Sequence, residues 1–421
     1  MNFNKDFFRN IVILTSGAAG AQIITLLSAP FITRLYGPEA FGLLGTFIAV
    51  LSILIPIVSL TLPQAIVIAK TEVDSQSLSN ASIVICVLSS LFISIIIGFI
   101  SIYDYYNIEV LGNWLFLLPV ALVTTVMYQI AEQKSIRNKD FKFIAKMGVA
   151  QSLIFNSFKL FFGLLWPSPF VLVAQQSFFG GIWSAGYKIF GKRYPGDALR
   201  LITFIKIKSI LIKYKDFPLY RAPEIALSAA SQGIPVLILS SMYSVESAGY
   251  FSLTIMLLSM PAALLGKAVG DTYYPKLAES KSIGTALYPL LKQATFMMAA
   301  LGIIPFIILS IFGQLIFSTV FGDEWGRSGE YSAWLSIWMF SLFINLPSIK
   351  TMAVIEEQKI LLYFTIITLV SRLGIAFLAL IFEFDDLEMI SIFGVVGGLI
   401  NMILISLVFS RCKIHDGKLN G

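Results

Sequence analysis

The sequence predicts an all-α polytopic membrane protein of about twelve transmembrane helices in two six-helix lobes. Hydrophobic residues make up 57% of the 421 residues and charged residues only 13%, whereas soluble domains carry about 25% charged residues. The apolar residues also fall into runs of membrane-spanning length. A signature that occurs once in each half of the chain indicates that the two lobes correspond to each other.

Twelve apolar runs follow one another along the chain, each long enough to cross a hydrocarbon core of about 30 Å as a helix. Because the runs are continuous, they favour helices over barrel strands, in which apolar and polar residues alternate. The first run follows Lys5 and Arg9, as a signal peptide would, but it is too long and a second run follows at once, so we expect a retained helix. The runs are 11–33, 40–62, 79–100, 114–132, 147–166, 170–190, 217–240, 248–270, 291–313, 331–349, 360–382 and 388–410.

The repeated signature opens the second and eighth runs. Residues 36–42 read YGPEAFG and residues 243–249 read YSVESAG, so Tyr, Glu and Gly keep the same spacing in both copies. Each copy also lies between two prolines, which are Pro30 and Pro56 in the first half and Pro235 and Pro261 in the second. Proline bends a membrane helix, and duplicated units are typical of transporters whose halves rock around a central site. A fixed helix shape without hinge motion explains the prolines equally well.

The chain divides into an N-terminal lobe at 1–190, a basic cytoplasmic linker at 191–216, a C-terminal lobe at 217–410 and a cytoplasmic tail at 411–421. Within the linker, the stretch 205–213 is amphipathic. We expect it either to lie along the lipid headgroups or to be a solvated linker.

The distribution of Lys and Arg predicts the orientation. If the N-terminus is cytoplasmic, the cytoplasmic loops collect nearly all the basic residues, whereas the opposite side holds only Arg34 and Arg327. Short cytoplasmic loops are enriched in Lys and Arg, so we expect both termini in the cytoplasm. The net charge of +6 is therefore a topology signal, and we expect no nucleic-acid partner.

Seven ordered segments cover both halves of the chain: 29–42 (APFITRLYGPEAFG), 216–220 (DFPLY), 231–237 (SQGIPVL), 248–253 (AGYFSL), 260–261 (MP), 274–278 (YPKLA) and 321–325 (FGDEW). Together they resemble the Wzx-type O-antigen flippases, in the polysaccharide transporter branch of the multidrug/oligosaccharidyl-lipid/polysaccharide (MOP) exporter superfamily, which also contains the MATE transporters.

The resemblance implies a multi-pass protein of the bacterial inner membrane that moves an undecaprenyl-pyrophosphate-linked oligosaccharide to the periplasmic leaflet by alternating access. It implies no cofactor. The expected partners are the lipid-linked oligosaccharide, the membrane lipids, and an O-antigen polymerase with its chain-length regulator.

Ionisable residues inside membrane spans are costly and are candidates for function. Arg372 lies at the middle of the run 360–382 and shares a helix face with Thr365 and Thr368. We expect it to contact sugar or phosphate in the lumen. The alternative is a structural partner for a carboxylate or carbonyl group on a neighbouring helix.

Lys159 is the corresponding candidate in the fifth run, on a face with Ser152 and Asn156. This polar stripe predicts a water-facing surface with a substrate-contacting lysine. A lysine that snorkels towards the periplasmic headgroups is the alternative.

The remaining charged candidates are less central. Arg34 and Arg221 lie at the ends of runs 1 and 7, which the resemblance places along the cavity, and helix-end anchoring is their alternative role. Lys267 is a candidate for binding pyrophosphate, and Asp271 or Glu224 for ion coupling. Local pairs, Arg221 with Glu224 and Lys267 with Asp271, are the simpler explanation.

The first run adds a polar face on which Gln22 is a candidate for substrate binding, while Gly17 and Gly20 allow a neighbouring helix to approach closely. Small polar residues also join membrane helices to one another.

Other classes of protein fit less well. A membrane glycan polymerase would need a large periplasmic loop with catalytic groups, and the chain has no histidine in a span and no nucleophile–base set, so we expect no enzyme. The single histidine, His415, cannot build a metal site, and Cys86 and Cys412 do not suggest a disulfide. A drug or cation antiporter of the same superfamily is the nearer alternative, although it would favour carboxylates over the cations Arg372 and Lys159. A peptidoglycan-precursor flippase often has two further helices.

Overall fold

The computed structural model describes residues 5–103, 112–191, 204–262, 273, 276, 277, 279–355 and 357–419. All the regular structure in these residues is helical. Contacts between Cα atoms divide them into two compact units. The first unit holds the chain up to Ser28 together with Glu39–Ser241, and the second holds Ala29–Pro38 and the chain from Met242 onward. The predicted division into lobes, linker and tail stays a prediction.

The chain from Lys5 to Met242 contains eight helices. They are α1 (Lys5–Ser59), α2 (Leu62–Ile68), α3 (Glu72–Tyr103), α4 (Leu118–Arg137), α5 (Phe141–Leu165), α6 (Pro169–Phe190), α7 (Phe204–Lys213) and α8 (Ala222–Met242). A 3-10 turn at Gly112–Leu117 precedes α4, and a π turn at Phe217–Arg221 precedes α8.

Six further helices follow. They are α9 (Val245–Leu258), α10 (Tyr288–Phe321), α11 (Gly326–Ile344), α12 (Leu346–Val354), α13 (Gln358–Phe382) and α14 (Asp386–Leu419). A 3-10 turn at Asp323–Trp325 separates α10 from α11. α14 therefore continues through most of the predicted tail.

Helix α1 is broken inside the first copy of the signature. It runs for 55 residues, but Gly37 has φ 68° and ψ 174°, a conformation that glycine adopts without steric cost. Pro38 follows it and cannot donate a backbone hydrogen bond. The first two predicted spans therefore correspond to the two helical stretches of α1 on either side of Gly37.

Each of the twelve predicted runs lies wholly or partly on a helix. Within the described residues, nine helices are long and apolar enough to cross a membrane. The number is lower than twelve because α1 carries two runs, because α6 is less apolar, and because part of the run 248–270 lies outside the described residues. The prediction of an all-helical multi-span protein is confirmed.

The core of the first unit is built by α1 after its break, α2, α3 and α4. Phe47, Leu62, Leu78 and Leu122 are all 0% exposed there. In the same unit, the predicted close approach of α1 is confirmed, because a Cβ atom on Gly17 would lie 2.6 Å from the Cβ of Ala145 on α5.

The amphipathic linker segment forms α7, which packs on the first unit. Ile207 and Ile210 are buried in the core of that unit, and the Lys213 ammonium lies 2.6 Å from the Asp74 carboxylate at the start of α3. This hydrogen bond raises the pKa of Lys213. A fully solvated linker is therefore wrong for this segment.

In the second unit, α11 packs closely between α10 and α14. A Cβ atom on Gly329 would lie 2.3 Å from the Cα of Gln314 on α10, and one on Gly394 of α14 would lie 2.4 Å from the carbonyl oxygen of Trp334. Such small residues let membrane helices pack backbone against backbone. The end of α14 is also fixed in place, because the Asp416 carboxylate accepts hydrogen bonds of 2.9 and 2.8 Å from the first backbone N–H groups of α10.

Candidate substrate-contact residues

Arg372 lies in the interior of the second unit, on the middle of α13. Its side chain is only 5% exposed, and its guanidinium carbon lies 4.7 Å from the ring centroid of Trp338 on α11. A cation over an indole face is held electrostatically, most strongly where water is excluded. The hydroxyls of Thr365 and Thr368 donate to carbonyls one turn back in their own helix. The two threonine hydroxyls are thus satisfied within α13, and Arg372 is the charged group on the face that they share.

A cluster of polar side chains lies at the C-terminal end of α11, one to two turns beyond Trp338. The Asn345 side-chain amide donates to the Asn401 oxygen at 3.1 Å, and the Asn401 amide donates to the Ser341 hydroxyl at 3.1 Å. Asn345 Oδ1 is buried and has no hydrogen-bond partner among the residues that the structure describes. Trp338 belongs to the same face of α11, where it contacts Gly397 of α14. The sequence analysis missed this cluster because its members come from helices far apart in the chain.

The polar stripe of α5 joins this helix to α1. The Ser152 hydroxyl donates to the Ala21 carbonyl at 2.7 Å, and the Thr25 and Ser152 hydroxyls lie 3.0 Å apart. Asn156 is 5% exposed and donates to the Ser152 carbonyl at 2.8 Å. Asn156 is therefore buried and does not face water, and Ser152 and Asn156 hold two helices together, whereas the rest of the predicted water-facing surface stays a prediction.

Lys159 continues this stripe. Its ammonium lies 4.6 Å from the ring centroid of Phe155, one turn earlier on α5. The side chain is half-buried, and α5 ends at Leu165, more than one turn beyond. Contact of Lys159 with the substrate stays a prediction.

Arg34 caps the C-terminal end of α10 within the second unit. Its guanidinium donates to the Thr319 carbonyl at 2.8 Å, two residues before the helix ends at Phe321. Cations are favoured at this negative end of the helix dipole. The indole of Trp325 donates to the Thr33 carbonyl at 3.3 Å, which fixes the same segment. Arg34 therefore has a structural role, and its substrate role stays a prediction.

Arg221 and Glu224 form the local pair that was the simpler explanation for them. Their guanidinium nitrogen and carboxylate oxygen lie 2.7 Å apart, and both side chains are about half exposed. Gln22 is half-buried on α1. Lys267 and Asp271 lie outside the described residues.

An ion-pair network that the sequence analysis did not identify ties together the starts of α9, α11 and α14. The Asp386 carboxylate accepts hydrogen bonds from Arg327, from the Tyr331 hydroxyl, and from the Ser247 hydroxyl at 2.8 Å. Arg327 also pairs with Glu330 at 2.6 Å. Ser247 belongs to the second copy of the repeated signature, so this copy helps to fasten three helix ends. Among the described residues, no group of side chains could hold a metal ion.

A family model described as "Polysaccharide biosynthesis protein" matches residues 31–330, most of the chain. The chain belongs to this polysaccharide biosynthesis protein family. No curated protein sequence matches it.

Several solved structures similar to this chain are transporters of the MOP superfamily. An inward-facing multidrug resistance MATE family transporter aligns with a TM-score of 0.71 at 14% identity, covering 97% of this chain and 99% of the other. An outward-facing structure of a MATE family transporter gives 0.63 at 16% identity, covering 98% and 96%. A MOP transporter from Pyrococcus furiosus gives 0.58 at 15% identity, again covering 98% and 96%.

These similarities confirm the fold and the family that the ordered segments predicted. The chain forms a multi-pass membrane protein whose fold is that of the MOP-superfamily transporters. Because all the identities lie below 25%, the structural similarity establishes the fold and leaves the transported molecule to be argued from this chain.

Proposed function

We propose that this protein is a flippase that moves undecaprenyl-pyrophosphate-linked O-antigen or related polysaccharide repeat units across the bacterial inner membrane by alternating access. The observation that carries the proposal is the combination of a polysaccharide biosynthesis family match over residues 31–330 with a transporter fold over nearly the whole chain. Transport of a lipid-linked glycan precursor is the step of polysaccharide biosynthesis that requires such a fold.

The buried charge supports an anionic substrate. A pyrophosphate group cannot enter hydrocarbon without compensation for its charge, and Arg372 places a permanent cation inside the second unit, 4.7 Å from Trp338. An arginine can bind two phosphate oxygens at once. Indole and amide groups such as those of Trp338 and Asn401 suit the apolar and polar faces of a sugar.

The proposal includes the sidedness and the partners. Both termini lie in the cytoplasm, and the protein works beside an O-antigen polymerase and a chain-length regulator. Glu224 or Asp271 is the proposed ion-coupling group. In this role the Arg221–Glu224 pair would open as the carboxylate takes up a proton.

Multidrug or cation antiport is the second candidate, favoured by the MATE structures that share this fold. A binding pocket for cations would favour carboxylates, whereas Arg372 and Lys159 are cationic. The Pyrococcus furiosus transporter is described as having a binding pocket of reverse polarity that suggests a different function. The cations Arg372 and Lys159 of this chain argue against cation export. A membrane polymerase is the least favoured class, because the family and the fold indicate transport.

The test is the lipopolysaccharide ladder of the host after deletion of this protein. We expect the ladder to disappear, lipid-linked repeat units to accumulate on the cytoplasmic face, and the wild-type protein to restore both. Arg372→Ala should fail to restore the ladder at equal membrane abundance, and Arg372→Lys should restore it in part because it keeps the charge.

Arg411→Ala is the matched control, since Arg411 is half exposed near the end of α14 and lies 3.8 Å from Glu357. It should behave as wild type. An intact ladder in the deletion strain would contradict O-antigen export, and loss of drug resistance in its place would favour the antiporter. Single repeat units still reaching the outer surface would indicate a polymerase.

A further inference from the structure

An aromatic groove lies between α5 and α6, within the first unit. It encloses about 260 Å³, and the lining includes Phe158, Trp166, Phe170, Phe178 and Trp183. Phe158, Phe178 and Trp166 are 39%, 51% and 60% exposed, so the groove is open along the outside of this helix pair.

The wall of the groove offers almost no hydrogen-bonding groups. Gln175 is the polar residue in its lining, and its amide nitrogen donates to the Phe155 carbonyl at 2.8 Å. The Gln175 side-chain oxygen is buried and, within the described part of the chain, has no hydrogen-bond partner. Rigid aromatic rings around a narrow space fit a flexible, apolar, methyl-branched chain, because such a chain gains many dispersion contacts with the ring faces.

The groove is about as long as one leaflet of the membrane is thick. Its lining runs from Ile154 on α5 to Trp166, the residue just after that helix, which corresponds to about 18 Å of helix. Half of a hydrocarbon core is about 15 Å thick, so an apolar chain can lie along the groove over the depth of one leaflet.

A cation adjoins the groove. Phe155 lines it, and the Lys159 ammonium lies over the Phe155 ring at 4.6 Å. A ligand that joins an apolar chain to an anionic group matches this juxtaposition. A pure hydrocarbon does not.

We propose that the α5–α6 groove holds the polyprenyl tail of the transported lipid, with Lys159 attracting the pyrophosphate as the headgroup crosses. This inference rests on the proposed function and adds to it a place for the tail. The groove keeps the tail in hydrocarbon, beside the helices, while the polar headgroup moves.

The test uses the full chain in phosphatidylcholine/phosphatidylglycerol nanodiscs and a photoreactive undecaprenyl pyrophosphate with a diazirine in its tail. Crosslinked peptides are identified by mass spectrometry. We expect crosslinks to concentrate on α5 and α6, and unlabelled undecaprenyl pyrophosphate to compete for them. Phe178→Ala should lower the crosslink yield roughly tenfold, the equivalent of one aromatic contact.

Phe92→Ala is the matched control, because Phe92 is 64% exposed on α3 outside the groove, and it should leave the yield unchanged. Lys159→Gln should weaken competition by undecaprenyl pyrophosphate without changing competition by the uncharged polyprenol, and Lys159→Arg should restore it.

Crosslinks spread evenly over exposed helix faces would overturn the proposal. Equal competition by added phosphatidylglycerol would also overturn it and would identify an ordinary acyl-chain site. Failure of the groove and failure of the proposed function are distinguishable. A protein that restores the ladder without groove crosslinks is a flippase with its tail site elsewhere, whereas groove crosslinks without ladder rescue leave a polyprenyl site in a protein of another function.

Discussion

At the residue scale, the charged side chains in and beside the membrane spans have different roles. Their positions in the sequence predict only some of these roles. Arg372 was predictable as a buried cation because it stands at the centre of an apolar run, far from either interface, and it is 5% exposed. The role of Arg34 was not predictable. Its acceptor, the Thr319 carbonyl, lies 285 residues away in the chain, and only the fold brings them together.

The Arg327–Asp386 network should stabilise the second unit. Asp386 is 15% exposed on its side chain and pairs with Arg327, so Asp386→Asn removes one of the two close counter-charges of Arg327 and leaves Glu330. It also removes the charged acceptor of the Tyr331 and Ser247 hydroxyls. We expect a loss of about 2–3 kcal/mol in the free energy of unfolding, measured as a lower thermal midpoint in detergent.

The neighbouring Asp385 provides the control for this prediction. Its side chain is 59% exposed and lies 3.6 Å from Arg327, so Asp385→Asn should cost less than about 1 kcal/mol. Equal effects of the two substitutions would show that the network carries no special stability.

At the element scale, apolar runs predicted where the helices lie but not how they join. A run of apolar residues has the same hydropathy whether its helix is straight, broken or packed against another. The sequence predicted two separate runs, 11–33 and 40–62, and the structure places the break between them at Gly37, where the backbone is not helical. Likewise, Ser152 and Asn156 of α5 predicted a water-facing surface, whereas the structure shows that they join α5 to α1.

The contact between α1 and α5 depends on the absence of a side chain at Gly17. A Cβ atom there would meet the Ala145 Cβ at 2.6 Å, so Gly17→Val should force the helices apart and cost about 1–3 kcal/mol. The measurement is thermal unfolding of the purified protein, together with its abundance in the membrane.

Gly148, on α5 itself, has open space where its Cβ would lie, with nothing within 4 Å. Gly148→Val should therefore be nearly neutral. A destabilisation as large as that of Gly17→Val would indicate a general intolerance of larger residues in these helices, unrelated to the α1–α5 contact.

At the scale of the whole molecule, the sequence predicted the class of protein well because membrane insertion acts on bulk properties. The length of the apolar runs, the placement of Lys and Arg and the order of seven short segments can all be recognised in the linear sequence. They predicted the helical membrane architecture, whose fold the structural similarity confirms, and a polysaccharide family, which the family match over residues 31–330 confirms. The interior polar groups depend on which helices meet, so Asn345, Asn401 and the Arg327 network emerged only from the fold.

The orientation in the membrane is a prediction about the whole chain, and cysteine labelling can test it. The native Cys86 and Cys412 are free and buried, so both can be replaced by serine before one new cysteine is introduced. Lys139→Cys lies in the turn between α4 and α5, beside the basic residues that predict the cytoplasmic side. Asp323→Cys lies in the turn before α11, on the side that is poor in Lys and Arg.

A membrane-impermeant maleimide should label Asp323→Cys in cells with a permeable outer membrane, and Lys139→Cys only after the inner membrane is opened. The opposite pattern would invert the topology, and it would place the basic α7 and both termini in the periplasm.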